Sequence, residues 1–247
     1  MAGVNIKGLC KTYTIHSQEV QALSNINLTI QDGSFVTLVG KSGSGKTTLL
    51  RLLCGLEQAT QGEISFLSPK KERAVGKERI SIVFQEPRLM PWLTVEQNMA
   101  FALFKEKDPL RVSRTVSHFL DMLGLKKFKD AYPAQISGGM AQRTSLGRTL
   151  CYDPDIILMD EPLGALDAFT RKNLQAELVE IFLLQKKTII FVTHDVDEAV
   201  FLGQRVVIFE GGKIVEDVPV SLNYPRNPLS PDFFQIRERI LGVVLGE

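Results

Sequence analysis

Cysteine is scarce in this chain: Cys10, Cys54 and Cys151 are scattered, odd in number, and show neither CxxC nor mixed His/Cys spacing. That excludes a disulfide frame and a zinc site, and it points to a reduced compartment with the thiols in packing roles. Excess charge is also missing. The formal net charge is +1, which argues against electrostatically driven nucleic-acid binding. The one dense charged stretch, PKKERAVGKER at 69–79, mixes both signs between two strand-like runs and reads as a solvated loop, with a nucleic-acid patch as the lesser alternative. No apolar run approaches the length of a membrane span, and the opening MAGVNIKGLCKTY has no apolar signal region. The expectation is a cytosolic chain that reaches a membrane only through a partner. Internal repeats and low-complexity tracts are absent too. What remains is an ordinary globular composition, with 44% hydrophobic and 23% charged residues, in a chain of 247. That length can bury one large core or two lobes.

Strand-like runs come first: GVNIKGLCKTY, ALSNINLTI, SFVTLVG, EISFL and ISIVFQ. After Gln85 the texture turns helical. TVEQNMAFALF is one candidate helix, RVSRTVSHFLDMLGL a second and MAQRTSLGRTL a third. In the second, Val112, Val116, Phe119, Leu120 and Leu123 fall on one face at helical spacing. Strand and helix then alternate: DIILMD, RKNLQAELVEIFLLQ, TIIFVTHD, DVDEAVFLG, and a hairpin RVVIFEGGKIVED turned at Gly211-Gly212. Continuous apolar strands alternating with helices indicate a parallel sheet covered on both faces, with the helical block 86–151 inserted into it. The C-terminal FFQIRERILGVVL is amphipathic, either a closing helix or a self-association surface.

GKSGSGKT at 40–47 matches the phosphate loop GxxxxGK[ST], and it lies between a strand and a helix, as that motif requires. Gly40, Lys41, Ser42, Gly43, Ser44 and Gly45 supply backbone N–H groups around the phosphates of a triphosphate at a helix N-terminus. Lys46 would reach the β- and γ-phosphates, and the Thr47 hydroxyl would bind Mg²⁺. A strand ending in Asp160-Glu161 supplies the rest: Asp160 to orient the magnesium shell, Glu161 as general base for water. His194 ends another apolar strand. A lone His there is commonly structural, but the carboxyl ends of parallel strands are where ligands gather. Gln85 sits where the strands hand over to the helical block. It is either a plain polar strand end or a contact to Mg²⁺ or the attacking water. His16, in a polar loop, and His118, on a helix surface, carry no such role.

A phosphate loop, Gln85, ISGGM opening a helix, Asp-Glu, GALD and a strand-end His in one order resemble the nucleotide-binding subunit of ATP-binding cassette (ABC) transporters, over nearly the whole chain. The resemblance implies an α/β fold: a P-loop NTPase (RecA-like) core with an antiparallel β subdomain and an inserted α-helical subdomain. The ATP-binding lobe would comprise 1–85 and 152–247, and the helical lobe 86–151. It further implies that Ser137, Gly138 and Gly139 cap the γ-phosphate of ATP held by a second copy in a head-to-tail homodimer. A serine and two glycines at a helix N-terminus suit that role, since a partner's phosphate must come close to backbone. Tyr13 is similar to the aromatic that stacks on adenine, Thr48 to the residue at the α-phosphate, and Asp167 to the aspartate that crosses the dimer interface.

The chain departs from the family pattern at Ile136 and Met140, which flank the serine-glycine element, and at Gly164, where Ser is commoner. Gly147 should weaken its helix by about 1 kcal/mol relative to Ala. QEPRLMPWLTVEQN at 85–98, with SGGM, resembles importer ATPases of the nitrate/sulfonate/taurine group. That implies permease subunits docked near Trp92 and Met90, a solute-binding protein acting indirectly, no nucleic acid, and a peripheral place on the cytoplasmic side of the cell membrane. The plain alternative is that Trp92 and Met90 fill the helical lobe's core. Two other classes stay open: a non-transport ABC ATPase acting on nucleic acid or ribosomes, and another P-loop enzyme such as a small-molecule kinase.

Overall fold

The computed structural model describes residues 2–67 and 79–246, so the charged stretch 69–79 lies outside the described residues, Arg79 excepted. Two sheets organise the described residues. β1 (Gly3–Ile15), β2 (Gln18–Ile30) and β4 (Gln61–Leu67) form an antiparallel sheet in the order β2-β1-β4. The larger sheet consists of β3 (Phe35–Val39), β5 (Ile80–Val83), β6 (Ile156–Asp160), β7 (Thr188–Thr193), β8 (Arg205–Glu210) and β9 (Lys213–Pro219). Its order is β5-β6-β7-β3-β8-β9. Strands β5 to β8 pair in parallel, and β9 closes the edge antiparallel to β8. Every residue of β3 and β7 is buried, as expected of strands covered on both faces.

Among the described residues there are seven α-helices: α1 (Lys46–Leu53), α2 (Val95–Ala100), α3 (Pro109–Met122), α4 (Gly138–Cys151), α5 (Ala168–Gln185), α6 (Val196–Leu202) and α7 (Pro231–Leu245). One apolar cluster joins Leu49, Leu50 and Leu53 of α1 to Val4, Ile6 and Leu9 of β1 and to the near face of the large sheet. A second is continuous from Phe35 and Phe191 of the sheet through α5 to Met99, Phe119, Leu123 and Leu146 of the inserted helices. Val116, Phe119, Leu120 and Leu123 of the predicted face are buried, and Val112 packs against the same cluster.

Several sequence expectations shift. The first two strands extend toward each other and meet at His16-Ser17, both left-handed (φ 46° and 65°), the geometry of a tight hairpin turn. His16 is therefore an exposed turn residue, and His118 is exposed on α3. The Gly211-Gly212 turn is as predicted (φ 52° and 77°). The helix expected over TVEQNMAFALF stops at Ala100 and tightens into a 3₁₀ turn, Phe101–Leu103. The following helix starts earlier than predicted, because Asp108 caps it and Pro109 takes the first position, where no amide donor is needed. Strand β5 ends at Val83, so Gln85 lies beyond it.

Gly147 was expected only to weaken α4. A Cβ there would lie 2.4 Å from Met99 Cε and 3.0 Å from Leu123 Cδ1. Its missing side chain lets α4 approach α2 and α3, a gain that opposes the propensity loss. At the C-terminus, α7 buries Phe233 and Ile240 against Val196, Val200 and Val206, which makes it a closing helix. Arg226, 6% exposed, anchors the approach to it by donating to the carbonyls of Val200, Gly203, Val220 and Leu222. Phe233→Ala should lower the unfolding free energy by about 3–4 kcal/mol, a core aromatic truncation, measured by chemical denaturation.

Candidate active site

Four adjacent parallel strands end at one edge of the large sheet, and their ends carry the site. In spatial order the residues following β5, β6, β7 and β3 include Gln85, Glu161 (next to Asp160, the last residue of β6), His194 and the loop 40–47. The carboxyl ends of parallel strands are where side chains can converge without breaking the sheet's hydrogen bonds.

The loop is built by glycine. Gly40, Gly43 and Gly45 have φ of 154°, 79° and 100°, in the range that L side chains avoid. A Cβ on Gly40 would also sit 2.1 Å from the Phe209 carbonyl oxygen. The loop wraps around Lys46, which is 4% exposed; its Nζ donates to the carbonyls of Gly40 (2.7 Å) and Lys41 (2.9 Å) and contacts Ser44 Oγ (3.2 Å). Burial lowers the ammonium pKa, opposed by the carboxylates of Glu161 and Asp160. The Thr47 hydroxyl donates to Asp160 Oδ1 at 2.9 Å, tying the loop to β6. Burial raises the Asp160 pKa; Thr47 opposes that shift and the neighbouring Glu161 adds to it. A hydroxyl and a carboxylate held together beside a phosphate loop are the oxygen donors that suit Mg²⁺.

Glu161 has φ 45°, a left-handed conformation that costs roughly 1–2 kcal/mol for a residue with a Cβ. Its amide donates to Val192 O of the neighbouring strand. Its Oε2 lies 2.9 Å from His194 Nδ1. A carboxylate only accepts, so in this contact the Nδ1–H donates to Glu161. A Cβ added at Gly164 would stand 3.4 Å from Gln85 Nε2 and 4.0 Å from Glu161 Oε2, so Gln85, Gly164 and Glu161 share one corner of the site.

Ser137 and the two glycines open α4. Ser137 caps α4, its Oγ accepting from the Met140 amide. Neither Gly138 nor Gly139 has positive φ, so neither is required by backbone conformation. A Cβ on Gly138 would meet nothing within 4 Å, whereas one on Gly139 would lie 2.5 Å from Thr170 Cγ2 of α5. The second glycine is thus used inside its own chain. Asp167 caps α5, accepting from the amides of Phe169 and Thr170. These bonds hold its carboxyl below the usual range. Ile136 and Met140 pack against the main cluster. Tyr13, half-buried on β1, bonds through its hydroxyl to Glu57, and Thr48 lies within hydrogen-bonding reach of the same oxygen. Trp92 is 71% exposed and does not fill the core, and Met90 is only half-buried.

Sequence reasoning missed the residues that hold 84–94 in place. Gln142 of α4 donates to Phe84 O, and the Arg148 guanidinium donates to Pro87 O (3.0 Å) and Arg88 O (3.1 Å). Burial lowers the Arg148 pKa. Asn98 donates to the carbonyls of Met90, Leu93 and Thr94 and accepts from the Met90 amide. The helix that starts at Ser137 therefore also grips the segment carrying Gln85. No local motif signals the Gln142 and Arg148 bonds, whose partners lie about 60 positions away.

With this geometry in view, the matches to known proteins fall into place. A family model for the ABC transporter matches residues 23–164, more than half of the chain. The chain belongs to the ABC transporter family, is one of its ATPases, and binds ATP. It is 44% identical to an uncharacterized ABC transporter ATP-binding protein of Methanocaldococcus jannaschii, covering 99% of this chain and 92% of that one. It is also 44% identical to the aliphatic sulfonates import ATP-binding protein SsuB of Bacillus subtilis, covering 94% and 90%. Among solved structures it resembles the dimeric ATP-binding cassette MJ0796 in a post-hydrolysis state bound to ADP and Pi, with a TM-score of 0.77 and 30% identity over 89% of this chain and all of that one. The cbiO1 protein of Clostridium perfringens, part of the ABC transporter complex cbiONQ, superposes with a TM-score of 0.79 at 25% identity, covering 98% and 94%.

The two glycines should separate by experiment. Gly139→Ala should lower monomer stability by about 1 kcal/mol, because Thr170 must shift. Gly138→Ala should leave the unfolding midpoint unchanged or slightly higher. Both are read by thermal unfolding without nucleotide. Arg148→Ala, which strips two carbonyls of a buried cationic donor, should cost about 2 kcal/mol by the same measurement.

Proposed function

We propose that this chain is the ATP-hydrolysing subunit of an importer for an aliphatic sulfonate or a similar small anion, working as a head-to-tail homodimer. The convergence of Gln85, Asp160, Glu161, His194 and the 40–47 loop at one sheet edge carries the catalytic part. The 44% identity to the sulfonates import ATP-binding protein supports the choice of solute.

In this reading, Tyr13 stacks on adenine, Thr48 meets the α-phosphate, and the amides of Gly40, Lys41, Ser42, Gly43, Ser44 and Gly45 cradle the β- and γ-phosphates with Lys46. The carbonyls that hold the Lys46 ammonium keep it aimed into the loop. Thr47 and Gln85 would hold Mg²⁺, with Asp160 orienting Thr47 through their hydrogen bond. When bound, the ion neutralises charge on the phosphates. Glu161 takes a proton from the attacking water. His194 holds the Glu161 carboxylate through Nδ1, so that Oε1 is the oxygen left for the water. That gives His194 a role the sequence did not suggest: aligning the base as well as stabilising charge on the phosphoryl group.

Ser137 and Gly138 would close on the γ-phosphate held by the other copy, and the open space beside Gly138 supports that approach. Gly139 provides an amide there in addition to its packing against Thr170. Asp167 would cross the same interface. The dimeric state of the similar cassette structure supports such pairing. Closure shifts a population, because ATP makes more contacts in the closed pair than in the open one. Segment 86–151 then moves as a helical lobe against 1–85 and 152–247. Its link to Gln85 through Gln142 and Arg148 supports such coupling. Exposed Trp92, Phe101 and Phe104 offer a membrane permease an apolar surface on that lobe. Among the described residues no helix is long and apolar enough to cross a membrane. Attachment to the cytoplasmic face would come through the permease, with a solute-binding protein acting on the other side.

Glu161→Gln should bind ATP and dimerise while losing at least 100-fold in turnover, measured by steady-state phosphate release and size-exclusion chromatography. Substantial residual hydrolysis would reassign the base. The transport reading is tested by purifying the tagged chain from native membranes in mild detergent. A polytopic membrane subunit should co-purify stoichiometrically, and reconstituted vesicles should take up alkanesulfonate only with ATP. Recovery of ribosomes or nucleic acid instead would overturn it.

A further inference from the structure

The end of β1 is tied to the phosphate-loop helix by a single carboxylate. Glu57 lies in the loop after α1, its amide donating to Arg51 O. Its Oε2 accepts the Tyr13 hydroxyl and lies 3.5 Å from Lys11 Nζ, while Oε1 is 3.4 Å from Arg51 Nη1 on α1. Lys11 is held in turn by Gln58 O at 2.9 Å, and its ammonium stands 4.8 Å from the centroid of the Tyr13 ring. Two further bonds pin the same stretch of β1: the Thr12 amide donates to Thr60 Oγ1, and the Thr60 amide to Cys10 O. Tyr13, Lys11 and Glu57 are thus one assembly, and Arg51 joins it to the helix that begins at Lys46.

Such an assembly does more than pack a side chain. Tyrosine has two χ angles, and a half-exposed ring on a strand can swing. The bond to Glu57 fixes the ring's tilt, and the Lys11 ammonium occupies one face, as cations do over aromatic rings. In the stacking reading, the base takes the opposite face. Burial raises the Tyr13 phenol pKa, and the Glu57 carboxylate adds to that shift. Burial pushes the Glu57 pKa up, but the bonds from Tyr13 and Lys11 outweigh it and leave it below the usual range. The pair therefore stays as phenol and carboxylate at neutral pH, which is the strongly bonded form.

We propose that Glu57, with Lys11, is a positioning residue for nucleotide recognition: it locks Tyr13 as a one-sided base platform at a set distance from the phosphate loop. This rests on the reading that Tyr13 stacks on the base. The consequence is a division of affinity. Triphosphate binding belongs to the 40–47 loop, whereas the additional affinity conferred by the base depends on the Tyr13–Glu57–Lys11 assembly.

The test compares ATP with inorganic triphosphate, which lacks base and ribose, by competition against a fluorescent nucleotide on the full chain with Mg²⁺. Glu57→Ala should reduce ATP's advantage over triphosphate about tenfold, with triphosphate affinity held within twofold. Lys11→Met, which keeps the aliphatic stem but removes the charge, should reduce the same ratio by a smaller factor. Glu57→Gln serves if the alanine variant does not fold, and it too should lower the ratio, since it loses the charge that holds Lys11 and Arg51. Combining Glu57→Ala with Tyr13→Ala should lose no more than Tyr13→Ala alone. An unchanged ratio in the Glu57 variants, or an equal fall in both affinities, would overturn the proposal. If Tyr13→Ala itself leaves the ratio unchanged, the stacking reading fails instead, so the two failures are told apart.

Discussion

A buried ammonium has to be surrounded by oxygen, and that requirement shapes the centre of this molecule. Lys46 is almost fully enclosed, and the oxygens nearest to it are two carbonyls of its own loop and a serine hydroxyl. A loop can turn its backbone around its own side chain only where φ is free to go positive, which glycine allows. The three left-handed glycines at 40, 43 and 45 follow from this. The loop itself follows β3, a strand buried along its whole length between β7 and β8. The Thr47–Asp160 bond then sets β6 against the loop, and the Glu161–His194 contact sets β7 against β6.

Strain is spent at the same place. Glu161 is a left-handed non-glycine residue held by a strand-to-strand amide bond and by His194. The rest of the fold stabilises that arrangement by burying β3, β6 and β7 almost completely, a core large enough to over-determine one unfavourable dihedral. The second organising link is α4, a single helix with Ser137 at one end and two side chains that hold 84–88 along its length. The helix runs 14 residues, so one element carries both the Ser137 cap and the Arg148 contact.

The legible parts of the site were those encoded over a few neighbouring residues. GKSGSGKT specifies its loop because glycine freedom, a lysine and a threonine occur at fixed spacing beside a strand and a helix. Asp160-Glu161 could be read because a continuous apolar run led into it. Gly147 and Gly139 were not legible in the same way. One looked like a helix defect and the other like part of an anion nest, yet each also accommodates a side chain from another helix. Residue type alone does not distinguish a glycine needed for φ from one needed for space. Glu57 was missed for a related reason: an acidic residue in a loop has no signal until Tyr13, 44 positions earlier, is folded against it.

Sequence alone determined the composition class, the alternation of strands and helices, the phosphate loop and the acidic strand end, since these rest on local pattern and spacing. Tertiary structure decided which residues meet. His194 aligns with Glu161, Arg148 grips the backbone of 87–88, and Trp92 faces outward. The C-terminal amphipathic segment turns its apolar side onto α6 and β8. Those outcomes depend on strand order and helix packing, which bring together residues tens of positions apart, and no local propensity carries that information.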